Sequence, residues 1–285
     1  MSAYRDLYWN SDDGLRLYAR EHEAAPPSGR LPVVCIPGLT RNAADFDALG
    51  AWLAARGRRV LAVDLRGRAR SARDPRPSRY NASTYAADVL ALLRAQGIAR
   101  AVFVGTSLGV LVTMVAALKR PEAVAAAVLN DAGPQIGKAA LARIRAYAGT
   151  TVAPMTRDEA RAYVERIAGV AHPRYGEADW QAMADRVMRR REDGLYEPDY
   201  DPRVARTANR LLLMLARPMM WRAFRKLANG RPVLLLRGER SDVLEPAIVA
   251  RMARAAPAMT VVEVPGVGHA PDLAEPEARA AIAAL

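Results

Sequence analysis

The feature that most constrains the fold of this chain is a pentapeptide between two apolar runs. Residues 105–109 read Gly-Thr-Ser-Leu-Gly; they follow the apolar run 101–104 and precede the apolar run 110–118. A strand that turns sharply into a helix leaves no room for Cβ atoms at the flanking positions, which accounts for the two glycines. Ser107 at the apex is then held in a strained conformation that exposes its hydroxyl. The pentapeptide alone also fits an ordinary turn, but its context predicts a strand, a tight turn and a helix.

Strand and helix patterns alternate on both sides of this unit. The apolar runs 31–36, 60–63, 101–104 and 124–129 read as buried strands separated by helical patterns, which predicts an α/β fold with a parallel sheet. Alternating polarity around the turn 11–14 predicts an N-terminal hairpin. The alternation of strand and helix patterns stops at residue 133 and resumes at residue 233. We therefore expect a core formed by residues 1–133 and 230–285, with an all-helical insertion at 134–229.

Length and charge limit the classes of protein to consider. A chain of 285 residues that is 51% hydrophobic suits one large domain, or a core domain with an inserted cap. The formal net charge is +12, but the arginines are scattered and no zinc-finger or RNA-binding signature is present. We expect no nucleic-acid partner; a preference for arginine over lysine, with anionic ligands, explains the charge equally well.

The expected location follows from three further features. Cys35 is the single cysteine, which excludes an intrachain disulfide and permits a reducing compartment. The first residues lack a secretory-signal pattern, and no apolar run approaches the roughly 20 residues that span a bilayer. These features predict a soluble cytoplasmic protein without membrane contact, and they leave its oligomeric state open.

A serine nucleophile needs a base, and the chain has three histidines. His269 lies in the glycine-rich segment 264–271, directly after the last strand candidate. Loops that follow parallel strands gather at the carboxyl edge of the sheet, where ligands bind. His269 is therefore the predicted base for Ser107, and we expect solvated or surface positions for His22 and His172.

The histidine in turn needs a carboxylate to orient it. Asp242 follows the strand candidate 233–236, and its loop is expected to neighbour that of His269. We therefore predict that Asp242 orients His269, although Asp242 also fits a helix cap. The order serine, aspartate, histidine separates this arrangement from those of chymotrypsin and subtilisin. Three further carboxylates near strand ends could fill the same role: Glu239, Asp131 and Asp64.

Two backbone amides are predicted to bind an oxyanion. The N–H of Leu108 lies in the first turn of the helix after Ser107, with the helix dipole behind it. The second donor should come from the loop after the strand that ends at Ile36. There Gly38 permits a close backbone approach, and the N–H of Leu39 would point inward.

Several short motifs together resemble the α/β-hydrolase superfamily. They are the pentapeptide 105–109, Asp-Leu-Arg-Gly at 64–67 with Ser71, Arg-Gly at 237–238 with Ser-Asp at 241–242, and Gly-His at 268–269. The stretch 38–46 is similar to a group of bacterial esterase-like hydrolases. The resemblance implies an eight-stranded, mostly parallel sheet, a helical lid in the insertion, and hydrolysis through an acyl-enzyme without cofactor or metal.

The expected activity is cleavage of a small carboxylic ester by a serine hydrolase. Ser107 argues against the epoxide hydrolases and haloalkane dehalogenases of this superfamily, which use aspartate as the nucleophile. Carbon–carbon bond hydrolysis of a vinylogous diketone is an alternative, although those enzymes usually carry Asn where this chain has Thr106. A non-catalytic ligand-binding protein on the same scaffold is the second alternative.

Substrate contacts are predicted in two places. The runs 211–215 and 218–221 are apolar and rich in methionine, so Met219 and Trp221 are candidates to line an acyl or aromatic pocket. Plain packing of the lid on the core explains these runs equally well. Arg41, beside the oxyanion loop, is a candidate to bind a substrate carboxylate.

Overall fold

An eight-stranded sheet lies at the centre of the protein. The computed structural model describes residues 4–137, 140, 142, 150–205 and 210–285, with the backbone alone for 210–215. The strands of the sheet are β1 (Arg5–Asn10), β2 (Arg16–His22), β3 (Val33–Ile36), β4 (Val60–Asp64), β5 (Ala101–Thr106), β6 (Val124–Asn130), β9 (Val233–Gly238) and β10 (Thr260–Val264). Their order is β1-β2-β4-β3-β5-β6-β9-β10; β1 and β2 pair antiparallel, β2 and β4 pair antiparallel, and the remaining pairs are parallel. The predicted hairpin and parallel sheet are confirmed.

Helices cover both faces of this sheet, which is why its strands read as continuous apolar runs. Neighbouring residues of β5 point to opposite faces: Phe103 packs into one hydrophobic cluster and Val104 into the other. No helix in the described residues is both long and apolar enough to cross a membrane. The helices outside the insertion are α1 (Asp47–Ala54), α2 (Ala82–Ala95), α3 (Leu108–Lys119), α7 (Pro246–Ala255) and α8 (Pro276–Ala283).

The segment between β6 and β9 is not purely helical. It contains α4 (Arg157–Ala168), α5 (Glu177–Val187), β7 (Met188–Arg190), β8 (Tyr196–Pro198) and α6 (Arg210–Ala228). The expectation of an all-helical insertion is therefore wrong, because β7 and β8 form an antiparallel pair. These strands are three residues long and partly exposed, so they leave no apolar run in the sequence. Helices α4 and α5 pack around a hydrophobic cluster of their own, whereas the second half of α6 packs into the main core.

The start of α3 packs tightly against the ends of β3 and β5. A Cβ atom on Gly109 would overlap the carbonyl oxygen of Ile36, and one on Gly105 would lie 2.5 Å from the backbone of Gly109. These positions therefore tolerate only glycine without a backbone shift. The same packing brings the loop after β3 beside the turn that carries Ser107.

The loop after β4 is anchored by a buried carboxylate. Asp64 is 2% exposed, and its two oxygens accept hydrogen bonds from the backbone N–H groups of Ala43, at 2.7 Å, and Arg70, at 3.1 Å. Burial raises the pKa of Asp64 to about 7, because the two N–H donors offset only part of the desolvation of the charge. Asp64 thus joins the segment after β3 to the segment after β4.

The raised pKa predicts a pH-dependent contribution to stability. Between about pH 4, near the ordinary value of 3.8, and about pH 7, the folded state holds a proton on Asp64 that the unfolded chain has released. The free energy of unfolding should fall as pH rises through this window, by up to about 1.4 kcal/mol per pH unit, and this contribution should be constant above it. In urea denaturation from pH 4 to 8, the free energy of unfolding of the wild type should fall relative to that of Asp64→Asn as the pH rises to about 7. The exposed control Asp12→Asn should retain the wild-type slope; equal slopes in all three proteins would contradict the prediction.

Candidate active site

Ser107 occupies the turn between β5 and α3, as the pentapeptide predicts. Its backbone has φ 54° and ψ −110°, a conformation that residues other than glycine rarely adopt. The turn is fixed from the neighbouring strand, because the N–H of Ser107 donates to the carbonyl of Asn130 at 3.0 Å. The Oγ atom of Ser107 lies 2.8 Å from Nε2 of His269. The predicted nucleophile and base therefore lie within hydrogen-bond distance.

The loop that carries His269 is held by hydrogen bonds from three parts of the chain. The carboxylate of Glu239 accepts from the N–H of Gly266 at 2.6 Å. The N–H of Gly268 donates to the carbonyl of Ala171, in the insertion, at 2.7 Å. Further along, the amide of Asn130 donates to the carbonyl of Pro271 at 2.8 Å. These contacts fix the loop on either side of the imidazole.

The carboxylate beside His269 belongs to Asp131, which corrects the assignment to Asp242. Oδ2 of Asp131 lies 2.8 Å from Nδ1 of His269, and Oδ1 accepts from the N–H of Gly238 at 3.1 Å. The Asp131 side chain is fully buried, and that of His269 is 11% exposed. With the proton on Nδ1 directed to Asp131, Nε2 is free to accept the proton of the Ser107 hydroxyl. Serine, imidazole and carboxylate thus form one chain of contacts.

The strand order explains why Asp131 takes this position. Asp131 directly follows β6, which pairs with β5, the strand that leads to Ser107. Asp242 follows β9, one strand further away, and adjacent strands are about 4.8 Å apart. It also lies four residues beyond the end of β9, where its backbone carbonyl packs against Gly137. The carboxylates of Glu239 and Asp64 have separate roles, since Glu239 supports the histidine loop and Asp64 anchors the loop after β4.

The two predicted oxyanion amides lie beside the nucleophile. A Cβ atom on Gly38 would be 3.7 Å from the Cβ of Ser107, so the loop that carries Leu39 passes in contact with the serine. Leu39 and Leu108 are half-buried and face the same cavity. Within the described residues, neither N–H donates to another group of the protein. Their role as oxyanion donors stays a prediction.

Ser107 and His269 open into a cavity of about 1280 Å³. One face of α3 forms an apolar wall, in which residues recur at intervals of three or four positions, as one helix face requires. Met219 also lines the cavity and is 48% exposed, and its contact with a substrate stays a prediction. The α3 wall consists of Leu108, Leu111, Val115 and Leu118.

Trp221 does not belong to this lining, so its predicted role in substrate binding is wrong. The indole is 3% exposed and packs edge-on against Phe224, with the guanidinium of Arg251 4.1 Å from its ring centre. Met219 and Trp221 are two positions apart on α6, and such residues face nearly opposite sides of a helix. Trp221 therefore points into the core. The predicted apolar run 211–215 lies outside the residues whose side chains are described.

Arg41 lines one end of the cavity as a half-buried ion pair. Its Nε and Nη2 atoms donate to the two oxygens of Asp45, each at 2.6 Å, and Nη1 makes no hydrogen bond within the described part of the chain. Burial alone would lower the pKa of Arg41, but Asp45 outweighs it and the pKa is raised. Arg41 therefore stays charged and has one free end.

The remaining two histidines are buried, contrary to the expectation of solvated or surface positions. His172 is 6% exposed, lines the cavity and stacks on Tyr175 with ring centres 4.5 Å apart. Burial lowers its pKa, so its ring is neutral at pH 7. His22 is 1% exposed and lies 3.6 Å from Asp47, in the core below α1. His172 is thus a cavity residue that the sequence did not indicate.

Comparison with known proteins places this geometry in context. A model of the alpha/beta hydrolase family matches residues 33–283. A 3-hydroxybutyrate-oligomer hydrolase from Cupriavidus necator is 32% identical over 261 residues, which cover 90% of this chain and 88% of that protein. A 2-(acetamidomethylene)succinate hydrolase from Mesorhizobium japonicum is 32% identical over 247 residues, which cover 84% of this chain and 82% of that protein.

Among solved structures, an alpha/beta hydrolase from Novosphingobium aromaticivorans superposes with a TM-score of 0.89. It is 40% identical in sequence, and the match covers 100% of this chain and 98% of that one. These similarities confirm the fold class predicted from the sequence, with its mostly parallel eight-stranded sheet.

Proposed function

Because the chain belongs to the alpha/beta hydrolase family, we propose that it is a serine hydrolase that cleaves a small carboxylic ester. The observation that carries the proposal is the pair of 2.8 Å contacts that join Ser107, His269 and Asp131 at the edge of the cavity. A hydroxyl, an imidazole and a buried carboxylate in this order are the components of nucleophilic acyl transfer.

The proposed reaction has two halves. Ser107 Oγ attacks the ester carbonyl carbon while His269 Nε2 accepts the hydroxyl proton, and the negative charge of Asp131 stabilises the imidazolium. The N–H groups of Leu39 and Leu108 hold the oxyanion of the tetrahedral intermediate. When the intermediate collapses, the carbon–oxygen bond of the ester breaks and the alcohol leaves with the proton from His269. Water then attacks the acyl-enzyme by the same route, which releases the acid and restores Ser107.

The substrate we propose carries a carboxylate besides its ester. Both named relatives are hydrolases of carboxylic acid derivatives, a 3-hydroxybutyrate oligomer and a substituted succinate. Arg41 supports the same class of substrate, because it lines the cavity that contains Ser107 and its Nη1 atom makes no hydrogen bond to the described residues. An oligoester of a short hydroxy acid combines an ester bond, an apolar chain and a terminal carboxylate. Such a molecule suits the apolar α3 wall and the charged end of the cavity.

Substitution of the nucleophile tests the reaction directly. The wild type should hydrolyse p-nitrophenyl butyrate and the 3-hydroxybutyrate dimer, and a fluorophosphonate should label it covalently. Ser107→Ala should lose the labelling and almost all turnover, because the hydroxyl that His269 activates is the one that forms the acyl-enzyme. Ser28→Ala, in the loop before β3, is the matched control and should behave as the wild type. If the wild type binds a ligand but is neither labelled nor active, the result favours a binding protein. If it cleaves a diketone but no ester, the result favours a carbon–carbon bond hydrolase.

The identity of the acid is tested by two isosteric changes. Asp131→Asn should lower kcat by up to about 10⁴-fold, the loss that the same change causes in the serine-protease triad, because the amide favours the wrong tautomer of His269. Asp242→Asn should leave kcat within about 3-fold of the wild type, since Nδ1 of the imidazole is already held by Asp131. Steady-state kinetics on p-nitrophenyl butyrate measures both variants. The reverse result would return the role of the acid to Asp242.

The role of Arg41 is tested with a charged substrate and its neutral analogue. Arg41→Gln should lower kcat/KM for the 3-hydroxybutyrate dimer by about 10- to 100-fold. This is the loss in binding expected when a hydrogen bond to a charged group is removed. For the isosteric terminal amide of the dimer, the loss should be only a few-fold, on the order of a neutral hydrogen bond. Arg189→Gln, which removes an exposed arginine paired with Glu197, is the control. Equal losses for both substrates would show that Arg41 does not recognise the carboxylate.

A further inference from the structure

A second arginine lies near the oxyanion loop, completely buried and outside the set of residues that line the substrate cavity. The Arg68 side chain is among the largest fully buried side chains of the protein. Its Nε atom donates to the carbonyl of Leu39 at 3.0 Å. Its Nη1 atom donates at 2.7 Å both to the carbonyl of Arg66 and to the hydroxyl of Tyr85. Arg68 thus joins the loop after β4 to the loop that carries one of the proposed oxyanion donors.

Among the described residues, no carboxylate forms an ion pair with Arg68. Its hydrogen-bond acceptors are two carbonyls and a phenol, and burial raises the pKa of Tyr85, so that hydroxyl stays neutral. Its Nη2 atom is buried and has no hydrogen-bond partner in the described residues. Beyond these bonds, the aromatic rings of Tyr85, 4.8 Å away, and Tyr80, 6.0 Å away, face the guanidinium.

Arg66, two residues earlier, is equally buried but has a different environment. Its guanidinium forms ion pairs with three carboxylates. A buried cation without a carboxylate partner costs several kcal/mol. Burial of Arg68 is therefore energetically much less favourable than burial of Arg66. The carboxylates that pair with Arg66 are Asp13, Asp74 and Asp88.

The oxyanion loop needs this external support, because its own turn is weakly closed. The N–H of Arg41 donates to the carbonyl of Gly38 at 3.4 Å, a long bond for a turn. Leu39 lies at the next position of this turn, and the bond from Arg68 fixes its carbonyl. The N–H of Leu39 is joined to this carbonyl through the Cα atom. The bond from Arg68 therefore also restricts the direction of the N–H.

We propose that Arg68 is a positioning residue for the oxyanion site: it orients Leu39 through its carbonyl and places an uncompensated positive charge behind the developing oxyanion. This inference rests on the proposed function. A positive charge in a water-excluded environment stabilises negative charge more than it would in water, and it favours the transition state because the ground-state carbonyl is neutral. The effect should therefore fall on kcat and on the affinity for charged tetrahedral adducts, with little effect on KM.

Arg68→Met, Arg68→Lys and the control Arg70→Met test this role. Arg70 belongs to the same loop, but its side chain pairs with Asp6 and with the hydroxyl groups of Tyr8 and Tyr18. Each protein is assayed with p-nitrophenyl butyrate for kcat and KM. Titration with a fluorophosphonate gives the concentration of active sites to which kcat refers. The inhibition constant of phenylboronic acid, which forms a tetrahedral anion on a reactive serine, is measured in parallel. Thermal melting reports folding independently.

Arg68→Met should lower kcat by about 10- to 100-fold with KM within about 3-fold, and should weaken boronate binding by a similar factor. Arg68→Lys retains the charge but not the planar guanidinium with its several N–H donors, so its loss should be smaller than that of Arg68→Met. If Arg68→Met does not fold, Arg68→Lys alone tests the proposal. Arg70→Met should match the wild type in all three constants.

Wild-type kcat and boronate affinity in titrated Arg68→Lys and Arg68→Met would overturn the proposal and leave Arg68 with a structural role alone. Failure of the proposed function is a separate result. In that case the wild type itself would neither hydrolyse the ester nor react with the fluorophosphonate.

Discussion

The close packing of α3 against β3 and β5 is the constraint on which the rest of the site depends. Gly109 lies so near the carbonyl of Ile36 that no side chain fits between them, and this contact brings the end of β3 beside Ser107. The loop after β3 must then continue past the serine, with Leu39 facing the cavity. One backbone contact therefore sets both the strained turn of the nucleophile and the position of the proposed oxyanion loop.

Two buried arginines in the loop after β4 have different partners and, we infer, different functions. Arg66 is surrounded by carboxylates and joins the N-terminal hairpin to α2. Arg68 has no such partners among the described residues and contacts the oxyanion loop instead. The insertion reaches the same region, because the N–H of Ala69 donates to the carbonyl of Asp199, and it also contacts the histidine loop through Ala171. Parts of the chain that are remote from Ser107 thus support both loops around it.

Local sequence patterns predicted much of this arrangement. The glycines at 105 and 109, together with the apolar runs on either side of them, indicate a strand-to-helix turn because the whole pattern lies in one short stretch of sequence. His269 could be found because its glycine-rich loop directly follows a strand candidate. Short or exposed elements gave no such signal: β7 and β8 have no apolar run, and nothing in the sequence around His172 indicates that its ring lines the cavity.

The sequence by itself determined the alternation of strands and helices, the turn at Ser107 and the loop that carries His269, since each leaves a recognisable pattern within a short stretch of the chain. Only the tertiary structure decided which carboxylate meets the imidazole. Asp131 and Asp242 both follow strands, and the sequence favoured Asp242 because its loop was expected to neighbour that of His269, but β6 pairs with β5 and β9 does not. The same applies to Trp221, which points into the core, and to Arg68, whose partners come from separate loops. Strand order and helix packing are set by the whole core, so no local pattern contains them.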